Sequence, residues 1–165
     1  MYKNIVFIIL ICFFQKGYSK NIEIDYSKTL DKNGKVYVKK SIEPLTGMVK
    51  YKKDREFYKN GIPEGKWLSF FSDGKIKSIE NWKNGSLNGK YILYNQKGIK
   101  SFQTYYLNGK DHGNFKLYHE NGKLQIMGRF IYGKAIGVWN YYDKSGRLIG
   151  KKDYTEHVKH FDQNN

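Results

Sequence analysis

The chain has 165 residues, with 30 lysines and arginines against 15 acids and a net charge of +15. That length fits one domain, a single cysteine excludes a disulfide framework, and 17 glycines, 15 tyrosines and 10 phenylalanines against two prolines describe turns and strands rather than helices. The positive excess favours anionic surfaces such as phosphorylated lipids, acidic glycans or nucleic acid; the plain alternative is a solvated basic face, because the lysines are scattered through every turn.

Residues 1–19 read as a secretory signal peptide. Lys3 gives a short basic start, Ile5 to Phe14 an apolar run, and Gly17 and Ser19 stand three and one residues before a cut after Ser19. The run is too short to span a bilayer, which takes about 20 apolar residues, so the mature chain is expected to have no transmembrane span. Cys12 lies in this run behind the bulky Ile9, Leu10 and Ile11, a poor context for lipidation. Cleavage would remove Lys3 and Lys16 and leave a net charge of +13 without any cysteine. The expected destination is secreted or periplasmic.

Residues 20–46 are expected to cap the fold. Ile22 to Leu30 and Lys35 to Lys40 flank Asn33-Gly34, a strong hairpin signal. From residue 47 to 154 the chain repeats. A shortened unit, 47–64, pairs Gly47 to Tyr51 with Arg55 to Tyr58 and ends in Asn60-Gly61. Four further units begin 24 residues apart, at Gly65, Gly89, Gly113 and Gly137, covering 65–88, 89–112, 113–136 and 137–154. The third position is aromatic in all four (Trp67, Tyr91, Phe115, Trp139), as are the sixth (Phe70, Tyr94, Tyr118, Tyr142) and the eighteenth (Trp82, Tyr106, Phe130, Tyr154). Glycine holds the tenth (Gly74, Gly98, Gly122, Gly146) and, in three units, the twenty-first (Gly85, Gly109, Gly133), where the last unit has His157. Residues 155–165 form a polar tail.

Each unit reads as a hairpin. Lys90 to Tyr94 is one strand, Asn95 to Gly98 a turn, and Ile99 to Leu107 the returning strand before Asn108-Gly109. Asn60-Gly61, Asn84-Gly85 and Asn121-Gly122 suggest the same turn chemistry. The expected fold is therefore all-β, an elongated single-layer antiparallel β-meander built from 24-residue hairpin repeats, with an atypical terminal unit guarding the open edge.

The run Gly65-Lys66-Trp67-Leu68-Ser69-Phe70-Phe71-Ser72-Asp73-Gly74-Lys75, followed by Trp82-Lys83-Asn84-Gly85 and by Gly89-Lys90-Tyr91, resembles the variant MORN repeat. The lead-in Pro44-Leu45-Thr46-Gly47 with Tyr58-Lys59-Asn60-Gly61 is similar to the opening of bacterial antitoxin-like proteins built from that repeat. The resemblance covers residues 44 to about 154. It implies an elongated sheet with partner binding as its role, neutralisation of a toxin in some bacterial members, and membrane-lipid contact or scaffolding in eukaryotic ones.

Alternation along the first strand puts positions three and five on one side and six on the other, so both faces carry rings. Position three is expected to stabilise the sheet, each ring packing on the same ring of the next unit. Position six is mostly tyrosine, which can keep its hydroxyl wet while its ring meets a sugar or peptide. Phe70, Tyr94, Tyr118 and Tyr142, with Lys66, Lys90 and Lys116 nearby, are the expected partner-binding stripe.

Catalytic constellations are absent from the pattern. The spacing Gly61-x-x-x-Gly65-Lys66, repeated at Gly85 to Lys90, is one residue short of a phosphate loop and is followed by Trp67 or Tyr91 instead of a hydroxyl residue. No Gly-x-Ser-x-Gly elbow occurs. His112 and His119 flank one strand, while His157 and His160 lie in the tail, a poor frame for zinc; Asp73 and Asp143 sit in turns that explain them. No cofactor, metal or catalytic residue is expected. The expected function is an exported, non-enzymatic binding or scaffold module for a protein or for an anionic envelope lipid or glycan. The alternative is an antitoxin-like protein that neutralises a partner toxin in the cytoplasm. A basic aromatic sheet could stack bases, but export removes most nucleic acid from reach, so nucleic acid is not the expected partner.

Overall fold

The computed structural model describes residues 23–155; the expected signal segment with Cys12, and the tail histidines His157 and His160, lie outside the described residues. At the N-terminal end, β1 (Glu23–Asp25) leads through a single 3-10 turn (Tyr26–Lys28) into a two-stranded hairpin of β2 (Thr29–Lys32) and β3 (Lys35–Val38). Asn33 and Gly34 make its turn with φ of 54° and 72°. The first residues do not extend this hairpin. Instead β1 pairs in parallel with the first strand of the repeats, β4 (Gly47–Tyr51), Ile24 opposite Val49. The edge is thus covered by a three-residue strand, and the hairpin lies apart from the main sheet, tied to it by Val36 N–H donating to Gly61 O at 2.9 Å and Leu45 N–H to Val36 O at 2.8 Å.

The repeats form an open fourteen-stranded sheet, antiparallel except for β1. After β4 come β5 (Asp54–Lys59), β7 (Gly65–Phe70), β8 (Ile76–Lys83), β10 (Gly89–Tyr94), β11 (Lys100–Leu107), β13 (Gly113–Tyr118), β14 (Leu124–Ile131), β15 (Lys134–Tyr142) and β16 (Leu148–Asp153), each beside its sequence neighbour. The two-residue strands β6 (Ile62–Pro63), β9 (Ser86–Leu87) and β12 (Lys110–Asp111) fold back on β5, β8 and β11 at the joints.

Two kinds of turn recur. Within each unit the N–H of position ten donates to the carbonyl of position seven, at 2.9 Å in all four copies (Gly74, Gly98, Gly122 and Gly146 to Phe71, Asn95, His119 and Asp143). These glycines have φ between 80° and 92°, a region that L side chains reach only at a cost. Between units, Asn60-Gly61, Asn84-Gly85 and Asn108-Gly109 place both residues at positive φ, as a two-residue type I′ connection requires. Asn121-Gly122 belongs to the first kind: Asn121 is not at positive φ, and its side-chain oxygen accepts from Lys123 N at 3.0 Å. The fourth joint uses Tyr132-Gly133, Tyr132 taking φ of 47° where the others have asparagine.

Successive units are stitched by one repeated bond. The position-21 N–H donates to the carbonyl two residues before the glycine that opens its own unit, Gly85 to Pro63 at 3.0 Å, Gly109 to Leu87 at 2.8 Å and Gly133 to Asp111 at 2.7 Å. Few side chains are wholly enclosed in so thin a sheet. Among the described residues a compact core lies under the hairpin, where Leu45, Val49 and Tyr58 pack with Ile24, Val36, Val38 and Trp67.

Candidate functional site

Register and contacts assign the rings to faces. Trp67 pairs across the ladder with Glu80 and lies 5.2 Å from Tyr58 and 5.0 Å from Trp82, centroid to centroid. Tyr91 meets Tyr106 at 5.8 Å, Phe115 meets Phe130 at 5.6 Å, and Trp139 meets Tyr154 at 5.9 Å. Positions three and eighteen therefore share one side, here termed the ladder face. The rings do not stack only on their counterparts in the next unit, because a returning strand lies between one first strand and the next; its own rings fill the gap, as Phe102 does at 5.3 Å from Phe115.

Position sixteen tunes this face. Glu80 accepts from Trp82 Nε1 at 3.0 Å and from Ser78 Oγ at 3.1 Å, and the fully enclosed Thr104 donates to Asp111 at 3.1 Å. Glu56, one unit back, accepts from Tyr58 Oη at 2.8 Å; burial pushes its carboxyl above the usual range, opposed by the Tyr58 hydrogen bond and reinforced by Asp54 and Glu80. Gly128 holds the same position in the third unit. The Trp139 indole lies where its Cβ would be, 2.1 Å from Cδ2, so Trp139 reaches Phe115 directly at 5.1 Å. Trp139 is 7% exposed and its Nε1 has no hydrogen-bond partner among the described residues.

The opposite side is the basic face. Every unit has a register shift just before position six, at Ser69/Phe70, Leu93/Tyr94, Leu117/Tyr118 and Tyr141/Tyr142, a bulge that re-aims the side chain following it. Phe70, Tyr94, Tyr118 and Tyr142 are half-buried there, and among the described residues no ring contact joins them to one another. Lys100 Nζ lies 5.8 Å above the Tyr118 ring and 3.2 Å from Gln103 Oε1; burial raises the Tyr118 phenol above its ordinary value. Alternation places Lys66, Lys90 and Lys116 on this face as well, Lys90 over the Tyr105 ring at 5.6 Å.

Charge is sorted between the faces. From β5 to β15 the strand acids Asp54, Glu56, Glu80 and Asp111 alternate onto the ladder face, whereas Arg55, Lys66, Lys77, Lys90, Lys116 and Arg129 alternate onto the other. Composition alone did not reveal this, because the lysines look scattered until register divides them.

The two described histidines have local roles. His119 Nε2 lies 2.9 Å from Tyr142 O. His112 stands edge-on to Tyr132 at 5.0 Å, repeating a contact that Glu64 makes with Asn84 N at 2.8 Å and Asn88 with Asn108 at 3.1 Å. In the joints of the first three full units the residue just before the opening glycine therefore braces the positive-φ turn residue twenty places later; in the shortened unit Thr46 does so for Asn60, fourteen places on. Asp143 accepts from Ser145 N at 2.9 Å and Arg147 N at 3.0 Å, and its hydrogen bonds, first that from the Ser145 hydroxyl, hold its carboxyl down at about 2. Among the described residues no helix is long and apolar enough to cross a membrane.

The family model described as "MORN repeat variant" matches residues 63–84 and 111–132. The two stretches lie two periods apart in the same register, each running from just before an opening glycine to the positive-φ turn residue that follows. No curated protein matches the chain.

Proposed function

We propose that this is a non-enzymatic binding or scaffold module whose basic face meets a protein or an anionic envelope component through Phe70, Tyr94, Tyr118 and Tyr142 with Lys66, Lys90 and Lys116. The observation that carries this is the division of the rings: positions three and eighteen are consumed in packing, while the position-six rings stand apart from one another among cations on the other side. Rings with wet edges beside ammonium groups suit sugars, peptides and anions. The MORN-variant match supports a repeat module that binds rather than transforms.

Replacing Tyr94 and Tyr118 together with alanine should weaken co-sedimentation with isolated envelope fragments at least tenfold while lowering the melting temperature little. A large drop in melting temperature with unchanged co-sedimentation would make the stripe structural. Export is part of the same proposal, and mass spectrometry of the native protein tests it: a mature chain starting near Lys20 supports it, whereas retained residues 1–19 favour the cytoplasmic antitoxin-like alternative, for which no structural observation speaks.

A further inference from the structure

The joint before the fourth full unit is built differently from the others. Each opening glycine faces position seventeen of the full unit before it, or its counterpart Phe57 in the shortened unit. A Cβ on Gly65 would lie 3.6 Å from Phe57, one on Gly89 3.1 Å from Asn81, and one on Gly113 3.6 Å from Tyr105, whereas on Gly137 it would meet nothing within 4 Å. The cause is register. Met127 pairs with Asn140 and Arg129 with Ile136, so Gly128 alone faces the three residues Gly137, Val138 and Trp139, and the strand bows away.

The bow opens a cavity of about 480 Å³ lined by Asn114, Lys116, Arg129 and Val138. It adjoins a second of about 420 Å³ lined by Asn88, Tyr105, His112, Asn114 and Arg129. Asn114 and Arg129 belong to both, so the two form one groove on the basic face that crosses β10, β11, β13, β14 and β15. Four strand steps of about 4.8 Å give it a length of roughly 19 Å.

Its chemistry is specific. Arg129 is exposed and has no carboxylate partner among the described residues, nor has Lys116. The Nδ1 of His112 is enclosed and lacks a hydrogen-bond partner among the described residues. Lys90 rides over the Tyr105 ring at 5.6 Å, beside the second cavity. The cations come singly from separate strands instead of converging on one point, as a phosphate cradle would require. Between them lie amides and a phenol ring, the groups that take sugar hydroxyls and sugar faces.

We propose that the groove centred on Arg129 binds an extended acidic oligosaccharide, one carboxylate received by the Arg129 guanidinium and the chain laid along Asn114, Tyr105 and Lys90. The inference rests on the reading of the basic face as the partner surface, and narrows it to a ligand class and a place.

Calorimetric titration of the full chain with tetragalacturonate tests it, with chitotetraose as the neutral match and inorganic polyphosphate and a short single-stranded oligonucleotide as other polyanions. Tetragalacturonate should bind; R129Q should weaken it at least tenfold with the melting temperature unchanged, R129K should recover only part because the planar fork is lost, and K32Q, on the exposed β2–β3 hairpin away from the basic face, should change it less than twofold. Absence of tetragalacturonate binding, chitotetraose binding equally well, or polyphosphate or the oligonucleotide binding as tightly would each overturn the proposal. The Tyr94 and Tyr118 double variant is titrated in parallel. If R129Q is silent while the double variant loses binding, the groove fails and the stripe stands; if both are silent, neither reading survives.

Discussion

At position sixteen the four full units carry Glu80, Thr104, Gly128 and Lys152, and the missing side chain has the largest structural consequence. Strand glycines usually weaken a sheet, but here the vacated space holds an indole ring, 2.1 Å from where Cβ would stand. Gly128→Ala must push Trp139 outward or bend β14, and an overpacked site of this kind costs about 1–3 kcal/mol. Urea denaturation should show that loss, together with a shift in tryptophan emission as Trp139 is displaced. Gly150→Ala is the control: it has nothing within 4 Å, and alanine there should leave stability unchanged or raise it by up to about 1 kcal/mol. An equal loss in both variants would mean that the strand glycines matter for backbone reasons alone. Sequence comparison within the chain finds Gly128 as an exception but does not explain it, since its neighbour in space, Trp139, lies eleven residues away on the next strand.

At the level of elements, the joints show what can be read ahead of the fold and what cannot. Asn60-Gly61, Asn84-Gly85 and Asn108-Gly109 announce their turn because asparagine and glycine are the residues that bear positive φ on both sides of a hairpin. Asn108→Ala should therefore cost roughly 1 kcal/mol, the price of a left-handed alanine, measured by chemical denaturation; a change below the error of that measurement would show that the stitch from Gly109 to Leu87 holds the turn without help. Tyr132-Gly133 makes the same turn from an unpromising pair, braced by His112, and no local signal gives that brace away. The bulges before position six are hidden for a similar reason. A bulge is a relation between two strands, set by Leu93/Tyr94 against the start of β11, and a one-strand pattern holds no record of it. The repeat, the hairpins and the identity of the packed ring at position three are legible because each is fixed by periodic hydrophobic and turn chemistry; the parallel β1 and the open Arg129 joint are not, because each depends on a pairing partner that the pattern leaves free.

Across the whole molecule, one end is finished and the rest is modular. The hairpin of β2 and β3 and the core of Leu45, Val49 and Tyr58 close the N-terminal side, while each later unit leans on its neighbours through the same stitch and the same ring contacts. Stability in such an array is close to a sum of unit and interface contributions. Excising residues 89–112 should therefore leave a folded β protein, with a lower melting temperature and a urea m-value reduced by roughly a fifth; loss of all β signal in circular dichroism would show that the sheet folds only as an undivided whole. The stitch from position 21 to the preceding unit has a further consequence. Because it is indifferent to how many units precede it, the chain can grow or shrink in steps of two strands, about 9.6 Å each, without disturbing any other register. Each step adds a rung of rings on one face and a rung of cation and tyrosine on the other. The protein is in this sense a graduated ruler whose reach and valency are geared together: a longer version spans more of a partner only by also gripping it at more points.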